Sequence, residues 1–288
     1  MVYCITVSIL IYLMHIFLSR TSGVQVENEL VLDLSTSTFS APSAKKHPFL
    51  ISEFDWPLPS SLHSPDNCTA PNEWLDALYA RPMKVISAEC TSMFRVGGDS
   101  DGGKVLCVDD ILPESCVVYS LGSRLDFTFE LDILSRLNCL VYTFDCTVGL
   151  PSTDSIPHGV NFFPWCVGGE DKTKAFTSDI LRSFEGKVGQ YYTLETIAKK
   201  LNHTRVDILK MDIERHELDV VASLTHKLLP SQILFETHLH NAYGAWGRPM
   251  TSFEWESLWE KLKGLGYGIY SYEPNPLCAC CSEWSIKL

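Results

Sequence analysis

The chain has 288 residues, of which 45% are hydrophobic, and a formal net charge of −12 at pH 7. This size and apolar content are sufficient for one large hydrophobic core with a short appendage. The acidic balance and the lack of a basic stripe argue against a nucleic-acid partner, because binding phosphates requires clustered Lys and Arg.

The N-terminus begins with a near-continuous apolar run, Val2 to Leu18, which is followed by Arg20. The run lies between the length of a signal-peptide core and the roughly 20 residues of a membrane-spanning helix. No basic segment precedes it, and Thr21 to Gly23 offer a small-residue cleavage site. Residues 1–23 are therefore predicted to be either a cleaved signal peptide or a signal-anchor. Both readings place the rest of the chain in the secretory pathway, as a secreted protein or as a lumenal single-pass membrane protein.

Cysteines and glycosylation sequons agree with that compartment. The chain has eleven cysteines, and removing Cys4 with the leader leaves ten, an even number that favours disulfides, although their pairing cannot be deduced. Two Asn-x-Thr sequons, at Asn67 and Asn202, predict a glycoprotein. The segment Cys278 to Cys281 leaves a zinc site open, but disulfides are the preferred interpretation.

Residues 24–69 are rich in Ser, Thr and Pro and are predicted to form a stem or linker. The globular domain is expected over residues 70–288, where short apolar runs alternate with helical patterns. The predicted strands are Cys116–Leu121, Leu140–Phe144, Val160–Trp165, Val206–Met211 and Ile233–Phe235. The predicted helices are Asp126–Leu137, Tyr192–Leu201, Glu214–Leu229 and Ser252–Lys263. With an antiparallel C-terminal hairpin, Gly266–Tyr272 and Ser282–Leu288, the pattern predicts an α/β fold with a doubly wound, seven-stranded, mostly parallel sheet.

Polar residues that follow the predicted strands are the first candidates for a site, because ligands of such folds bind beyond the carboxyl ends of the strands. Gly122 would allow a ligand to approach the backbone closely, next to the N–H groups of the following helix. Asp145, 23 residues later, could accept hydrogen bonds from both hydroxyls of a ribose. A tight turn and a surface Asp are the simpler interpretations. The loop LGSRLDF lacks a complete GxGxxG, so a dinucleotide site is not expected.

Several of these segments together resemble a known family. LGSRLDFTFE, VYTFDCT, YTLETIA, DILKMDIERHE and ILFETHLHN are similar to the FkbM-type branch of class I S-adenosylmethionine-dependent methyltransferases, and in particular to its animal methyltransferase-like proteins. FRVGGDSDGGKVLCVDD, Phe94–Asp110, resembles the family's segment before the cofactor loop. The resemblance implies a Rossmann-like methyltransferase fold, S-adenosylmethionine as cofactor, and O-methylation of a small-molecule or glycan acceptor.

The resemblance also implies roles for individual residues. The cofactor-binding set is Gly122, Ser123, Asp126 and Glu130 beside the methionine part, Asp145 on the ribose, and Glu170 and Asp171 within Trp165–Asp171 along the adenine. The catalytic set is Asp212, Glu214 and His238, where the methyl group would meet its acceptor. Glu236 would line the acceptor side, and His240 and Asn241 are loop residues that could help to select the acceptor.

The sequence departs from the family pattern in two places. Only Gly122 remains of the usual glycine-rich loop, and Arg215 stands where the family tends to have Gly after Asp-Ile-Glu. Methyl transfer is an in-line displacement, so the protein mainly orients the acceptor and excludes water. A hydroxyl acceptor also needs a base, and Asp212 or His238 could serve.

Other functions stay open. The two departures favour a catalytically inactive binding module derived from a methyltransferase. A metal-dependent glycosyltransferase would have a similar anchor and stem, but it usually needs Asp-x-Asp, and this chain offers only Asp-x-Glu. Asp212, Glu214 and His216 are residue types that suit Mn²⁺ or Zn²⁺. If a helix starts near Glu214, however, these side chains diverge, so no metal site is predicted.

Overall fold

A seven-stranded sheet lies at the centre of the protein in a computed structural model, which describes residues 86–99, 102–175, 188–238, 252–275 and 281–288. These ranges all belong to one unit, Ala44–Leu288. The predicted leader, the stem and the sequon at Asn67 lie outside the described residues. No helix in the described ranges is long and apolar enough to cross a membrane.

The described elements are twelve strands, four α-helices and one short 3₁₀ helix. The strands are β1 Met93–Val96, β2 Lys104–Cys107, β3 Val117–Leu121, β4 Leu140–Phe144, β5 Val160–Phe163, β6 Cys166–Val167, β7 Lys172–Ala175, β8 Val188–Tyr192, β9 Ile208–Met211, β10 Gln232–His238, β11 Gly268–Pro274 and β12 Cys281–Lys287. The helices are α1 Thr128–Leu137, α2 Leu194–Leu201, α3 Glu217–Ser223 and α4 Ser252–Gly264, and the 3₁₀ helix is Thr153–Ser155.

The strand order of the central sheet is β11-β12-β10-β9-β3-β4-β5. Neighbouring strands are parallel from β10 to β5, and β12 is antiparallel to both β10 and β11. The chain first winds outward from β3 to β5 and then crosses to β9 on the other side of β3, so the carboxyl ends of β3 and β9 mark the switch in strand order. The predicted doubly wound sheet with an antiparallel C-terminal hairpin is confirmed.

Both faces of the sheet are buried, as a parallel sheet requires. Tyr119 and Leu121 of β3 point into a core formed with α2, α3 and α4, whereas Val118 points into a second core formed with α1 and the β1–β2 hairpin. The long apolar runs of the strands follow from this arrangement, because alternate side chains enter two different cores.

Two predicted element boundaries differ clearly from the structure. β10 continues to His238 instead of ending at Phe235, because its antiparallel pairing with β12 extends to Cys281. Tyr192 belongs to β8, and α2 starts only after Thr193, whose Oγ1 accepts a hydrogen bond from the Thr196 N–H at 3.2 Å.

The other differences concern short elements. The predicted helix over residues 214–229 is only Glu217–Ser223, preceded by a turn. The β1–β2 hairpin and the three-stranded sheet β6-β8-β7 were not predicted, because neither shows sustained periodicity in the sequence.

Disulfides confirm the prediction made from the cysteine count. The pairs are Cys90–Cys107, Cys116–Cys139 and Cys146–Cys166, and Cys281 is also disulfide-bonded, so its sulfur is not a zinc-binding thiolate. The Asn202 sequon lies at the C-cap of α2 and is exposed.

Helix α1 provides a matched pair for testing the second core. Ile133 is 0% exposed and Leu131 is 47% exposed on the same helix. We expect Ile133→Ala to lower the free energy of unfolding by about 2–5 kcal/mol, because it leaves a cavity against the sheet. Leu131→Ala should change it by no more than about 0.5 kcal/mol. Denaturant unfolding with the disulfides intact measures both, and equal losses would contradict this packing.

Candidate functional site

Gly122 lies where the ends of β3 and β9 come together. It has φ +76°, and a Cβ added there would lie 1.9 Å from the backbone oxygen of Asp212. Both the dihedral angle and the contact therefore exclude a larger residue. The Nζ of the buried Lys210 stabilises the turn by donating a hydrogen bond to the Gly122 carbonyl at 2.8 Å.

The loop after Gly122 is closed by its own polar groups. The Ser123 side chain is buried, and its Oγ accepts a hydrogen bond from the Leu125 N–H at 3.3 Å. Asp126 accepts from the Thr128 N–H at 3.0 Å at the start of α1. Arg124 and Leu125 have φ values of +51° and +65°, a conformation that glycine adopts most easily. The loop therefore keeps a glycine-type backbone although it has lost the glycines.

Asp145 holds this loop to the end of β4. One carboxylate oxygen accepts from the Arg124 N–H at 2.7 Å, and the other accepts from the N–H and the hydroxyl of Thr147 at 2.8 and 2.6 Å. The side chain is buried beside Gly122, whose N–H donates to the carbonyl of Phe144. Asp145 thus lies where the sequence predicts a ribose-binding acid, but its carboxylate already accepts three hydrogen bonds, from Arg124 and Thr147.

Glu130 is a buried residue in the first turn of α1. It is buried on α1, near Lys210, and the hydroxyl of Thr143 donates to it at 3.4 Å. Burial raises the pKa of Glu130 above its ordinary value, an effect that Lys210 partly offsets. Glu130 therefore contacts β4 from α1 inside the protein, and no contact described for it reaches residues 122–126.

Glu170 and Asp171 contact other elements. Glu170 is exposed and forms an ion pair with Lys172. The carboxylate of Asp171 accepts from the Thr193 N–H at 2.8 Å and from the Thr196 hydroxyl at 2.6 Å, at the start of α2. Burial alone would raise the pKa of Asp171, but these hydrogen bonds lower it below its usual value. These contacts of Asp171 stabilise α2, and no contact described for either acid reaches the Gly122 loop.

The three predicted catalytic residues do come together. Asp212 directly follows β9, Glu214 lies in the next turn, and His238 ends the adjacent strand β10. Their ligating atoms all lie within 4.8 Å of one another. His238 Nε2 is 3.2 Å from Glu214 Oε2 and 3.4 Å from Glu236 Oε2. The carboxyl edge of the sheet thus brings together the three predicted catalytic residues from two neighbouring strands.

Three carboxylates lie in one row across the sheet. Met211 pairs with Phe235, which places Asp212 beside Glu236, and Glu236 in turn pairs with Glu283 of β12. The buried Lys104 of β2 neutralises the row, with its Nζ 2.8 Å from Glu283 Oε2 and 3.6 Å from Asp212 Oδ2.

Two acids of this row, Asp212 and Glu236, differ in protonation state. Burial alone would raise the pKa of Asp212, but Lys104 and Lys210 lower it to about 2. Burial and the neighbouring Asp212 and Glu283 carboxylates raise the pKa of Glu236 to about 10. At neutral pH, Asp212 is therefore an anion and a weak base, whereas Glu236 is a protonated donor that also accepts from Asn275 Nδ2 at 2.7 Å.

Sequence reasoning missed four residues around this cluster. They are Lys104, Glu217, Asn275 and Glu283. Glu217 is buried on α3 and accepts from the Ile213 N–H at 2.8 Å, which fixes the turn after Asp212. Lys104 had a detectable signal, because it is a cation within an apolar strand of a segment that resembles the family. Glu283 had no detectable signal, because it lies beside Glu236 only through the register of β12 against β10.

The turn that carries Glu214 explains the second departure from the family pattern. Glu214 and Arg215 have φ values of +54° and +77°. The second position is in the left-handed region, where a glycine would be unstrained. Arg215 therefore keeps the backbone path of a glycine at a cost in conformational energy.

The histidine of the alternative metal cluster points elsewhere. His216 Nδ1 lies 3.6 Å from Asp219 Oδ2, and His238 takes its place beside Asp212 and Glu214. The predicted acceptor-side residues His240 and Asn241 lie outside the described residues.

The family of the chain follows from a comparison with family models. Residues 61–287 match the model described as a methyltransferase domain, and the chain belongs to that family. This membership confirms the predicted methyltransferase class, while the likeness to animal members stays a prediction. No curated protein matches the chain in sequence.

Three solved structures illustrate the likeness in fold. The methyltransferase FkbM from Methylobacillus flagellatus KT is 11% identical over 60% of this chain and 44% of its own, with a TM-score of 0.37. The fibrillarin pre-rRNA processing protein of Methanococcus jannaschii is 10% identical over 61% and 67%, with a TM-score of 0.38. LepI in complex with SAM is 11% identical over 62% and 45%, with a TM-score of 0.35. The matched part of this chain thus spans less than half of the FkbM and LepI chains, and the family assignment rests on the family model alone.

Gly122 can be tested against a glycine of similar conformation. Gly149 has φ +73°, but nothing lies within 4 Å of an added Cβ. We expect Gly149→Ala to cost only the conformational strain of about 1–2 kcal/mol. Gly122→Ala should lower the free energy of unfolding clearly more, because its methyl group pushes against the Asp212 carbonyl. Paired denaturation curves measure this, and equal losses would show that the contact is relaxed in solution.

Proposed function

We propose that the protein is an S-adenosylmethionine-dependent methyltransferase that methylates a hydroxyl group of a small-molecule or glycan acceptor. The observation that carries this proposal is the convergence of three parts on one edge of a methyltransferase sheet. They are the Gly122 turn, the Asp145 carboxylate, and the cluster of Asp212, Glu214 and His238.

The cofactor half of the proposal rests on the ends of β3 and β4. Gly122 turns the chain at the carboxyl end of β3, where ligands of such folds bind. Asp145 follows the neighbouring strand, where an acid can accept hydrogen bonds from ribose hydroxyls. The N–H of Arg124, in the loop after Gly122, donates a hydrogen bond to Asp145. A cofactor bound at this loop would therefore also contact Asp145.

The acceptor half rests on the ends of β9 and β10. Displacement at the sulfonium methyl requires a hydroxyl that is oriented and loses its proton as the new O–C bond forms. The carboxyl groups of Asp212 and Glu214, with His238 beside them, would surround the place where this proton leaves. Glu236, which is 2% exposed, lies behind Asp212 and hydrogen-bonds its carboxylate, and so would hold Asp212 in place on the acceptor side.

The compartment belongs to the same proposal. The apolar run at Val2–Leu18 and the sequons favour a lumenal or secreted enzyme. The three disulfide pairs agree with an oxidising environment. An acceptor in the secretory lumen, such as a glycan, is consistent with these features.

One observation favours a second function, that of an inactive binding module. A carboxylate has about four acceptor positions, and Asp145 gives three of them to Arg124 and Thr147. A ribose could therefore form its usual pair of hydrogen bonds only if the loop or the Thr147 hydroxyl moved. If the loop does not yield, the site has lost its cofactor.

Calorimetry with S-adenosylmethionine on the full chain separates these two functions. We expect saturable binding by the wild type, and a loss of about 10- to 100-fold in affinity for Asp145→Asn, because a charged acceptor of the ribose hydroxyls is removed. No binding by the folded wild type would favour the binding module.

Asp109 provides the matched control for Asp145. It also accepts hydrogen bonds from two backbone N–H groups, of Thr91 and Ser92, and from one Thr hydroxyl. Asp109→Asn should therefore remove hydrogen bonds of the same kind, at an exposed position, and leave the affinity for S-adenosylmethionine unchanged. If Asp109→Asn weakened binding as much as Asp145→Asn does, the effect would be one of folding.

The catalytic group is tested by Asp212→Asn. We expect this variant to keep most of its affinity for S-adenosylmethionine and to lose methyl transfer, because Asp212 acts on the acceptor. The measurement is transfer of a labelled methyl group to a panel of hydroxyl acceptors, with Asp219→Asn as the control on the exposed surface. Normal turnover by Asp212→Asn would remove Asp212 from the mechanism.

A further inference from the structure

We propose that Asp212, Glu214 and His238 bind a divalent cation, of the class of Mn²⁺ or Mg²⁺, at the acceptor side of the site. The existence of this metal site is independent of the proposed function, whereas its catalytic role rests on that function. Carboxylate oxygens with one imidazole nitrogen form a donor set that suits Mn²⁺ and related ions.

The first argument is the convergence of the donor atoms. One atom from each residue lies within 4.8 Å of the other two. Donors bound to one six-coordinate ion at about 2.1 Å lie about 3.0 Å apart in cis positions and about 4.2 Å apart in trans positions. His238 Nε2 and Glu214 Oε2, which are 3.2 Å apart, already have the cis separation, and the distances to Asp212 need to shorten by no more than about 2 Å.

The second argument is the way the backbone delivers these atoms. Asp212 and His238 end adjacent parallel strands, so their relative position is set by the sheet. Glu214 reaches them from a turn with φ +54°, and that turn is held by the hydrogen bond from the Ile213 N–H to the buried Glu217. A rigid sheet edge and a fixed turn meet the requirement that metal ligands be held in place before binding.

The third argument is access. The side chain of Glu214 is 42% exposed, that of Asp212 18% and that of His238 12%. The cluster is therefore open on the side of Glu214 and closed behind by Lys104, which is 0% exposed. An ion can enter from the open side, and three protein ligands leave coordination positions for water or for the acceptor.

The other donors near this cluster do not form a competing site. Cys281 lies close to Glu236 and His238, but its sulfur is in a disulfide. Cys90 and Cys107, near Asp109, are bonded to each other. Among the three clusters of possible ligands in the described ranges, only the cluster of Asp212, Glu214 and His238 contains no disulfide-bonded cysteine.

The bound cation would supply a simple chemistry. A hydroxyl coordinated to a divalent ion loses its proton more readily, and that proton would pass to water on the open side. The new O–CH₃ bond then forms as the CH₃–S⁺ bond breaks, and the sulfonium leaves as a neutral thioether. Because the proton passes to water, no side chain of the cluster has to act as the base.

The test is a titration of the chelator-treated full chain with Mn²⁺ alone, followed by electron paramagnetic resonance of the free ion. We expect one saturable site per chain, and at least about tenfold weaker binding for His238→Ala and for Glu214→Gln. Glu214 lies on a partly exposed turn, so its variant tests the site even if His238→Ala fails to fold. His216→Ala should bind Mn²⁺ like the wild type.

Two results would overturn the metal site. One is the absence of stoichiometric Mn²⁺ binding by the folded wild type, which would leave only an ion pair between His238 and Glu214. The other is binding that is unaffected by Glu214→Gln or weakened as much by His216→Ala. The failures are distinguishable, because loss of Mn²⁺ binding with intact S-adenosylmethionine binding contradicts the metal alone, and the reverse contradicts the methyltransferase alone.

Discussion

The contact between Gly122 and the backbone of Asp212 is the constraint on which the site depends. It brings the ends of β3 and β9 so close that no side chain fits between them. Because these two strands flank the switch in strand order, the contact places the Gly122 loop directly against the cluster of Asp212, Glu214 and His238. Asp145 then ties the loop to β4, and Lys210 supports it from below. A methyl donor bound at the Gly122 loop and a methyl acceptor bound near Asp212 would thus lie next to each other, on either side of this contact.

Charge balance is the second determinant of the site. Burying a row of carboxylates is costly unless a partner neutralises them. Lys104 supplies the positive charge for Asp212 and Glu283, and Glu236 avoids a further negative charge by keeping its proton. The β1–β2 hairpin, which lies outside the seven-stranded sheet, is therefore part of the candidate site because it carries Lys104.

The parts of this structure that could be predicted are those encoded locally. The apolar runs of β3 and β4 and the polar residues that follow them, Gly122 and Asp145, were placed correctly from the sequence. Long-range pairing could not be derived in this way. The register of β12 against β10 extends β10 to His238 and brings Glu283 beside Glu236, and no local pattern specifies a register. Lys104 was not predicted to be a site residue, because its partners, Asp212 and Glu283, lie more than a hundred residues away in the sequence.

Hydrogen–deuterium exchange with and without S-adenosylmethionine tests the central claim, that the cofactor binds at the joined ends of β3 and β4, most directly. The account predicts slower exchange on binding in residues 122–126 and in residues 145–147, and little change in β1 and β2 away from Lys104. Protection confined to any other part of the chain, with these two segments unchanged, would contradict it.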